Sequence, residues 1–281
     1  MSTDAPLVST AWLAERLSEP HIRIADASWY LPQAGRNAKA EYAAAHIPGA
    51  VFFDIDDLSD ETSPLPHMLA PPQKFAGRMR TLGLGDEHLI VVYDGAGLYS
   101  SPRAWWMLRA MGHRDVVVLD GGLPKWRREG YPVDNAPVQP HPAEFMPHPD
   151  ATIVRGFEQM LENLNSRAAQ VLDARGWPRF SAQEAEPRPG VRGGHIPGSV
   201  NVPYVVLSNA DGTLKSSESL RVLFAAKRVD LSLPSVTTCG SGVTAATAML
   251  ALVVAGAKDV ALYDGSWAEW GTRAGAPIET G

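Results

Sequence analysis

The fold of this chain is decided by one short stretch, Thr238-Cys239-Gly240-Ser241-Gly242-Val243-Thr244. An apolar run that ends at Val236 comes before it, and the helix-forming residues 245–250 come after it. This order predicts a strand, a tight glycine loop and then a helix. Cys239 is the only cysteine of the chain, and loop N–H groups at the positive end of a helix dipole favour its thiolate form.

Four pairs of motifs recur in the same order along the chain, 144 to 149 residues apart. In one pair, Asp94 stands in the first copy where the second copy has Cys239. Two copies of domain size predict a tandem duplication of one domain rather than a solenoid. The paired segments are 25–27 and 172–174, 46–49 and 195–198, 92–97 and 237–242, and 120–126 and 264–270.

The duplication predicts two domains, residues 1–135 and 150–281, joined by a linker at 136–149. The stretch 132–149 is rich in proline and has no clear hydrophobic period. Because proline fixes φ and lacks an N–H, we expect an extended connector there. The first domain is predicted to be the inactive copy, since it holds Asp94, and the second to be the catalytic copy.

Short apolar runs alternate with longer helical patterns in each copy. This alternation predicts an α/β fold, with a mainly parallel sheet flanked by helices in each domain. Ligands of such sheets bind beyond the carboxyl ends of the strands, where the Cys239 loop is expected. In the first copy the predicted strands are 22–24, 51–53, 89–92 and 116–119, and the predicted helices are 12–17, 72–82 and 104–111.

Composition limits the classes of function. The chain has 281 residues, 45% of them hydrophobic and 20% charged, with a net charge of -6. These values are typical of a globular protein, and they give no sign of a nucleic-acid partner. A lone cysteine forms no internal disulfide and builds no zinc site, so neither a metal nor another cofactor is expected.

The sequence also bears on location. The first six residues lack the basic and apolar regions of a secretory signal. The most apolar stretch, 248–257, is too short to span a bilayer and better fits a buried helix. We therefore expect a cytoplasmic protein with no membrane partner, and a monomer.

The two copies sort candidate residues. Residues present in both copies are predicted to be structural, because only one copy holds the nucleophile. Residues found in only one of the two copies are the better functional candidates. A lone cysteine is often a small buried hydrophobic residue, but its position between a strand and a helix favours a nucleophile here. The shared, structural residues are His46 and His195, Asp26 and Asp173, and Trp126 and Trp270.

The run Cys-Gly-Ser-Gly-Val-Thr at 239–244 resembles the active-site loop of the 3-mercaptopyruvate sulfurtransferases of the rhodanese superfamily. The two His-Ile-Pro-Gly turns and Tyr-Asp-Gly-Ser-Trp at 263–267 also fit, so the resemblance covers essentially the whole chain. It implies two tandem rhodanese-like domains. It also implies that a Cys239 persulfide carries sulfur from 3-mercaptopyruvate to a thiol, a thioredoxin-like protein or cyanide, with release of pyruvate.

The loop residues bear on the sulfur donor. Thiosulfate-type rhodaneses carry basic residues directly after the cysteine, whereas this chain has the neutral Gly240 and Ser241. Positive charge for an anionic donor must therefore come from elsewhere. By the resemblance, the other residues expected to bind the donor are Gly242, Val243 and Thr244.

Two arginines of the second copy can supply that charge. Arg179 and Arg188 each follow a proline, and the first copy has no Pro-Arg pair in the equivalent stretch. Taken alone, loop arginines are usually solvated. The resemblance implies that these two bind the substrate carboxylate, which a guanidinium group can hold by two hydrogen bonds.

The resemblance further implies a proton relay formed by Asp56, His67 and Ser241. A carboxylate that orients an imidazole, which in turn polarises a hydroxyl, is sound triad chemistry. By sequence alone, the loop that carries Asp56 and His67 reads as a plain surface loop. The relay needs residues of the first copy to serve a loop of the second, whose own sequence has no similar segment after Val202.

The residues alone are also compatible with two other functions. One is a thiosulfate:cyanide sulfurtransferase, and another is a non-catalytic persulfide carrier or redox-sensing binding protein. A cysteine phosphatase is disfavoured, because phosphate-binding loops of that kind usually end in an arginine and this one closes at Thr244.

Overall fold

The computed structural model describes residues 5–281. They form two compact units. The first consists of the chain up to Glu61 together with Leu69–Asp150 and Ser208–Leu214, and the second of Thr62–Met68, Ala151–Leu207 and Lys215–Gly281.

The first unit contains a five-stranded sheet with all neighbouring strands parallel. Its strands are β1 (Leu7–Val8), β2 (Ile22–Asp26), β3 (Val51–Phe52), β4 (Leu89–Tyr93) and β5 (Val116–Leu119), in the order β1-β5-β4-β2-β3. Its helices are α1 (Thr10–Ala14), α2 (Ala38–Ala44), α3 (Pro72–Thr81), α4 (Ser101–Ala110) and α5 (Gly122–Arg128).

The second unit repeats this arrangement. Its strands are β6 (Val154–Arg155), β7 (Gln170–Asp173), β8 (Val200–Asn201), β9 (Ser235–Thr238) and β10 (Val260–Tyr263), in the equivalent order β6-β10-β9-β7-β8. Its helices are α6 (Phe157–Ser166), α7 (Trp177–Phe180), α8 (Ser217–Ala226), α9 (Val243–Ala255) and α10 (Ser266–Trp270). The matching strand orders confirm the predicted duplication and the α/β class.

Burial explains why these segments take these forms. All five residues of β4 and all four of β9 are buried, as expected for central strands covered on both faces. Helix α9 is apolar on nearly every side and is almost wholly buried, which confirms the buried helix predicted there. Within residues 5–281, no helix is both long and apolar enough to cross a bilayer.

The position of β9 places the cysteine loop at the middle of one sheet edge. Strand β9 pairs with β7 on one side and with β10 on the other. Asp173, the last residue of β7, is in register with Thr238, the last residue of β9. Because parallel strands all end at one edge, the chain after Asp173 and the chain after Thr238 leave the sheet side by side.

The predicted linker at 136–149 packs against the first unit instead of running free. Phe145 is 1% exposed, and its ring lies 5.8 Å from that of Phe75 and 5.9 Å from that of His113. The backbone N–H of His148 donates to the carbonyl of Met111 at 2.8 Å. The proline-rich composition indicated an extended chain, but Phe145 gives that chain an apolar anchor.

The two units also differ from the predicted continuous domains, because each repeat contributes seven residues to the unit of the other repeat. Thr62–Met68 belongs to the second unit, and Ser208–Leu214 belongs to the first. The second segment lies 146 residues after the first, so the two occupy equivalent places in the duplication. The second repeat therefore has a segment at the equivalent position, and the sequence of that segment is not similar to that of the first.

The residues shared by both repeats are bonded to backbone, as expected for structural groups. Nδ1 of His46 donates to the Tyr42 carbonyl at 2.8 Å, and Nδ1 of His195 donates to the Phe180 carbonyl at 2.9 Å. Both rings are buried. Trp126 and Trp270 are fully buried, and each indole N–H donates to the carbonyl of a proline in the following loop.

Candidate active site

Cys239 follows β9 directly and is 2% exposed. Helix α9 begins four residues later at Val243. Gly242 closes the loop with φ of 81°, a left-handed conformation that favours glycine. Since the first N–H groups of a helix have no partner within it, the start of α9 offers donors beside the loop.

Helix α10 holds the backbone of the loop. The N–H groups of Trp267 and Ala268 donate to the carbonyls of Cys239 and Gly240, both at 2.9 Å. The Cys239 N–H donates to Oγ of Ser266 at 3.3 Å. The carbonyl oxygens of Cys239 and Gly240 therefore accept hydrogen bonds from α10. These bonds hold the loop at the end of β9.

The equivalent loop of the first unit holds a carboxylate. Asp94 is fully buried, and its Oδ2 accepts hydrogen bonds from the N–H groups of Tyr99, Ser100 and Ser101 at 2.8–2.9 Å. Oγ of Ser101 donates to the same oxygen at 2.7 Å, and the Ala96 N–H donates to Oδ1 at 2.8 Å. This supports the prediction that Asp94 is a structural stand-in for the anion of the other loop.

The two loops are anchored in the same way, so the first is a guide to the second. The Leu123 N–H donates to the carbonyl of Asp94 at 3.0 Å, just as the Trp267 N–H donates to that of Cys239. A loop of this design surrounds an anion with N–H donors. By analogy, a thiolate or persulfide on Cys239 is predicted to occupy the corresponding place, because fixed donors stabilise such charge without reorganisation.

Arg179 lies next to the cysteine loop. It belongs to α7, and its side chain is 20% exposed. A Cβ placed on Gly240 would lie 2.8 Å from Nη2 of Arg179, which is closer than real Cβ atoms approach their neighbours. The guanidinium group therefore occupies the space over Gly240, as expected if positive charge reaches the loop from outside it.

Two further charged residues belong to this region, and neither was predicted from the sequence to be functional. Arg175 and Glu186 are almost fully buried and form an ion pair with an Nη1–Oε1 distance of 2.7 Å. Glu186 also pairs with Arg179. The repeat comparison held the signal for Arg175, because Ser28 stands at its place after the Asp-Ala pair of the first copy.

The ion pairs shape the electrostatics of this edge. Burial opposes a charge on Arg175, but Asp173 and Glu186 outweigh that effect and raise the pKa of the guanidinium. In the first unit, Ser28 stands where the second unit has Arg175, so Asp26 has no guanidinium partner there. Burial raises the pKa of Asp26 to about 6, despite the hydrogen bonds that Ser28 donates to it. The same position thus carries opposite electrostatics in the two repeats.

The remaining predicted residues of the second unit lie in or near the loop. Ser241 is buried within it, and Val243 and Thr244 form the first turn of α9. Arg188 is half-buried and lies in the chain between α7 and β8.

The proposed relay residues lie in different units. His67 is 8% exposed and has a φ of 59°. It belongs to the segment Thr62–Met68, which is part of the second unit, and Ser241 belongs to the same unit. Asp56 belongs to the first unit and is exposed, and its Oδ2 accepts a hydrogen bond from Nε1 of Trp29 at 3.0 Å. The relay itself stays a prediction.

A search of the described part of the chain, residues 5–281, finds no group of three or more His, Cys, Asp or Glu side chains that could hold a metal ion. The groups that the structure places at this site are a buried thiol, the N–H groups of the loop and the guanidinium group of Arg179.

Comparisons with known proteins agree with this arrangement. The family model described as Rhodanese-like domain matches residues 9–129 and 157–273. The chain is 49% identical over 274 residues to a 3-mercaptopyruvate sulfurtransferase of Homo sapiens, covering 95% of this chain and 92% of the relative. It is 46% identical over 281 residues to a thiosulfate sulfurtransferase of Rattus norvegicus, covering 98% of this chain and 94% of that one.

Solved structures show the same likeness. The crystal structure of SseA from Escherichia coli, described as a 3-mercaptopyruvate sulfotransferase, matches with a TM-score of 0.86 and 43% identity, covering 94% of this chain and 99% of that one. Relatives named for two different sulfur donors are similar to this chain to nearly the same extent. Overall similarity therefore does not select the sulfur donor, and the residues of the site bear on that choice.

Proposed function

The chain belongs to the rhodanese family, and on that premise we propose that it is a sulfurtransferase that takes sulfur from 3-mercaptopyruvate. The observation that carries the choice of donor is the guanidinium of Arg179 above the neutral Gly240. A carboxylate-bearing donor suits a guanidinium group beside the loop. Basic residues within the loop, which suit a small dianion, are absent from 239–244.

The proposed first half-reaction forms a persulfide. Arg179 and Arg188 hold the carboxylate of 3-mercaptopyruvate while the Cys239 thiolate attacks the substrate sulfur. The new S–S bond forms as the C–S bond breaks, and the electron pair of the C–S bond leaves with carbon as the enolate of pyruvate. The proton of the substrate thiol passes to the enolate carbon, which gives pyruvate, and loop N–H groups stabilise the negative charge that remains on the outer sulfur of the persulfide.

The second half-reaction returns the thiolate. An acceptor nucleophile attacks the outer sulfur of the persulfide, the S–S bond breaks, and its electron pair returns to Cys239. A small thiol, a thioredoxin-like protein or cyanide fits this step. Loop residues Gly240, Gly242, Val243 and Thr244 line the donor site in this proposal, and the first repeat is the inactive copy because Asp94 has no nucleophilic sulfur.

The donor is tested by comparing kcat/KM on 3-mercaptopyruvate and on thiosulfate, with cyanide as acceptor. The proposal expects the larger value on 3-mercaptopyruvate, and a clearly larger value on thiosulfate overturns it. Arg188→Gly is expected to lose turnover of 3-mercaptopyruvate while it keeps any turnover of thiosulfate. A non-catalytic persulfide carrier would release one equivalent of pyruvate and stop, whereas an enzyme releases pyruvate continuously with acceptor present.

Proton handling is assigned to Ser241, His67 and Asp56. The family resemblance supports this role, as does the assignment of residues 62–68 to the same compact unit as Ser241. His67→Gln is expected to lower kcat by about a hundredfold, the usual scale of general acid-base catalysis. An unchanged kcat would contradict the relay.

The remaining proposals concern setting. We place the protein in the cytoplasm, because its lone cysteine gives no internal disulfide and its composition gives no sign of a nucleic-acid or membrane partner. We further propose that it is a monomer. Light scattering on the purified protein tests the monomer, and a dimer mass would contradict it.

A further inference from the structure

Four alternating charges, three of them buried, lie in a row beside the cysteine loop. Asp173 accepts from Nη2 of Arg175 at 2.6 Å, and Glu186 accepts from Nη1 of the same arginine at 2.7 Å. Glu186 also accepts from both Nε and Nη2 of Arg179, at 3.3 and 2.5 Å. The side chains of Asp173, Arg175 and Glu186 are 0%, 1% and 3% exposed.

Stability does not explain this row. Removing a carboxylate and a guanidinium from water costs several kcal/mol for each ion, and well-packed apolar residues often replace such pairs without loss. The two carboxylates and two guanidinium groups of the row balance, so the row as a whole has no net charge. What Glu186 does provide is direction, because a carboxylate that accepts from Nε and Nη2 fixes the plane and the rotation of a guanidinium group.

The fixed guanidinium is the one that lies over the cysteine loop. Glu186 occupies the Nε and Nη2 face of Arg179, and Nη2 is also the atom nearest to the Cβ position of Gly240. The row leads back to Asp173, which is in register with Thr238 at the end of the strand that carries Cys239. This chain of contacts fixes the orientation of Arg179 relative to the end of the strand that precedes Cys239.

We infer that Glu186 is a positioning residue of the sulfur-transfer reaction, acting through Arg179. This inference rests on the proposed function, in which Arg179 binds the donor carboxylate. Glu186 holds one edge of the guanidinium, and the other edge stays available to the donor. A small misplacement of a binding group can cost one to two orders of magnitude in rate.

The first repeat contains a matched pair that lacks the connection. Arg36 donates from Nε and Nη2 to Glu41, and its Nη2 also donates to the carbonyl of Gly95, the counterpart of Gly240. The two side chains are 38% and 41% exposed. Ser28 replaces the arginine that would continue a row, so Glu41→Gln is a control for loss of an Arg–Glu pair beside a glycine loop.

The test is a double-mutant cycle on kcat/KM for 3-mercaptopyruvate. Glu186→Ala is expected to lower kcat/KM about tenfold, mainly through KM. In an Arg179→Ala background the same change should cost less than about twofold, because the group that Glu186 orients is gone. Glu41→Gln should stay within about twofold of wild type.

A second readout separates positioning from general damage. Transfer of sulfur from a preformed Cys239 persulfide to cyanide does not use the donor carboxylate, so Glu186→Ala should leave its rate within about twofold. Glu186→Gln, which keeps the shape, serves if the alanine variant does not fold. Equal losses in both Arg179 backgrounds, or no loss, overturn the inference. Failure of wild type to use 3-mercaptopyruvate would instead overturn the proposed donor.

Discussion

The guanidinium of Arg179 occupies the space that a side chain on residue 240 would need. A Cβ on Gly240 would lie 2.8 Å from Nη2, and Glu186 holds that end of the arginine in place. A neutral loop and an external arginine are therefore two parts of one arrangement. Any residue with a Cβ at position 240 would force the Arg179 guanidinium out of its present position.

Gly240→Ala is expected to lower kcat/KM for 3-mercaptopyruvate about tenfold, because the methyl group displaces the donor-binding guanidinium. Steady-state pyruvate release measures the change. The control is Gly156→Ala, where a Cβ meets nothing within 4 Å and φ is -102°. Equal kcat/KM in Gly240→Ala and Gly156→Ala would show that Arg179 does not need its present place.

Asp94→Asn is expected to destabilise the protein by about 3 kcal/mol, since the amide keeps the shape but loses the charge that several buried N–H groups surround. Urea unfolding, followed by circular dichroism, measures the loss. Sulfur transfer by the folded protein should stay within about twofold of wild type, because the nucleophile is in the other repeat. A large loss of turnover with unchanged stability would contradict the structural role of Asp94.

Asp26 predicts a dependence of stability on pH. Burial raises its pKa from 3.8 to about 6, so between about pH 4 and 6 the folded protein holds a proton that the unfolded chain has released. The free energy of unfolding therefore falls as pH rises through this window, by at most about 3 kcal/mol. Asp26→Asn, which cannot ionise, should remove this part of the dependence, and identical pH profiles of the two proteins would contradict the shift.

Much of the fold could be predicted because the duplication gives each element two copies in the sequence. The strand at 89–92, the helix at 72–82 and the cysteine loop follow from apolar runs, glycines and their spacing. The short strands β1 and β6 and the helix α5 were not predicted, because so few residues show no clear period. The equally short β3 was predicted only because its apolar run extends over 51–53.

The site was only partly predictable for a physical reason. Cys239 and Arg179 stand out because each breaks the symmetry between copies. Glu186 does not, since its role depends on two arginines that only the folded chain brings to it. The exchange of residues 62–68 and 208–214 was also hidden, because equivalent positions there carry unrelated residues.

The central claim is that Cys239 carries the transferred sulfur. Intact-mass spectrometry of the folded protein after addition of 3-mercaptopyruvate, without an acceptor, tests it most directly. The account predicts a gain of one sulfur atom on the wild-type protein, located on the peptide that contains Cys239, and no gain on Cys239→Ser. A folded wild-type protein whose mass does not change, or a Cys239→Ser protein that gains the same mass, would contradict it.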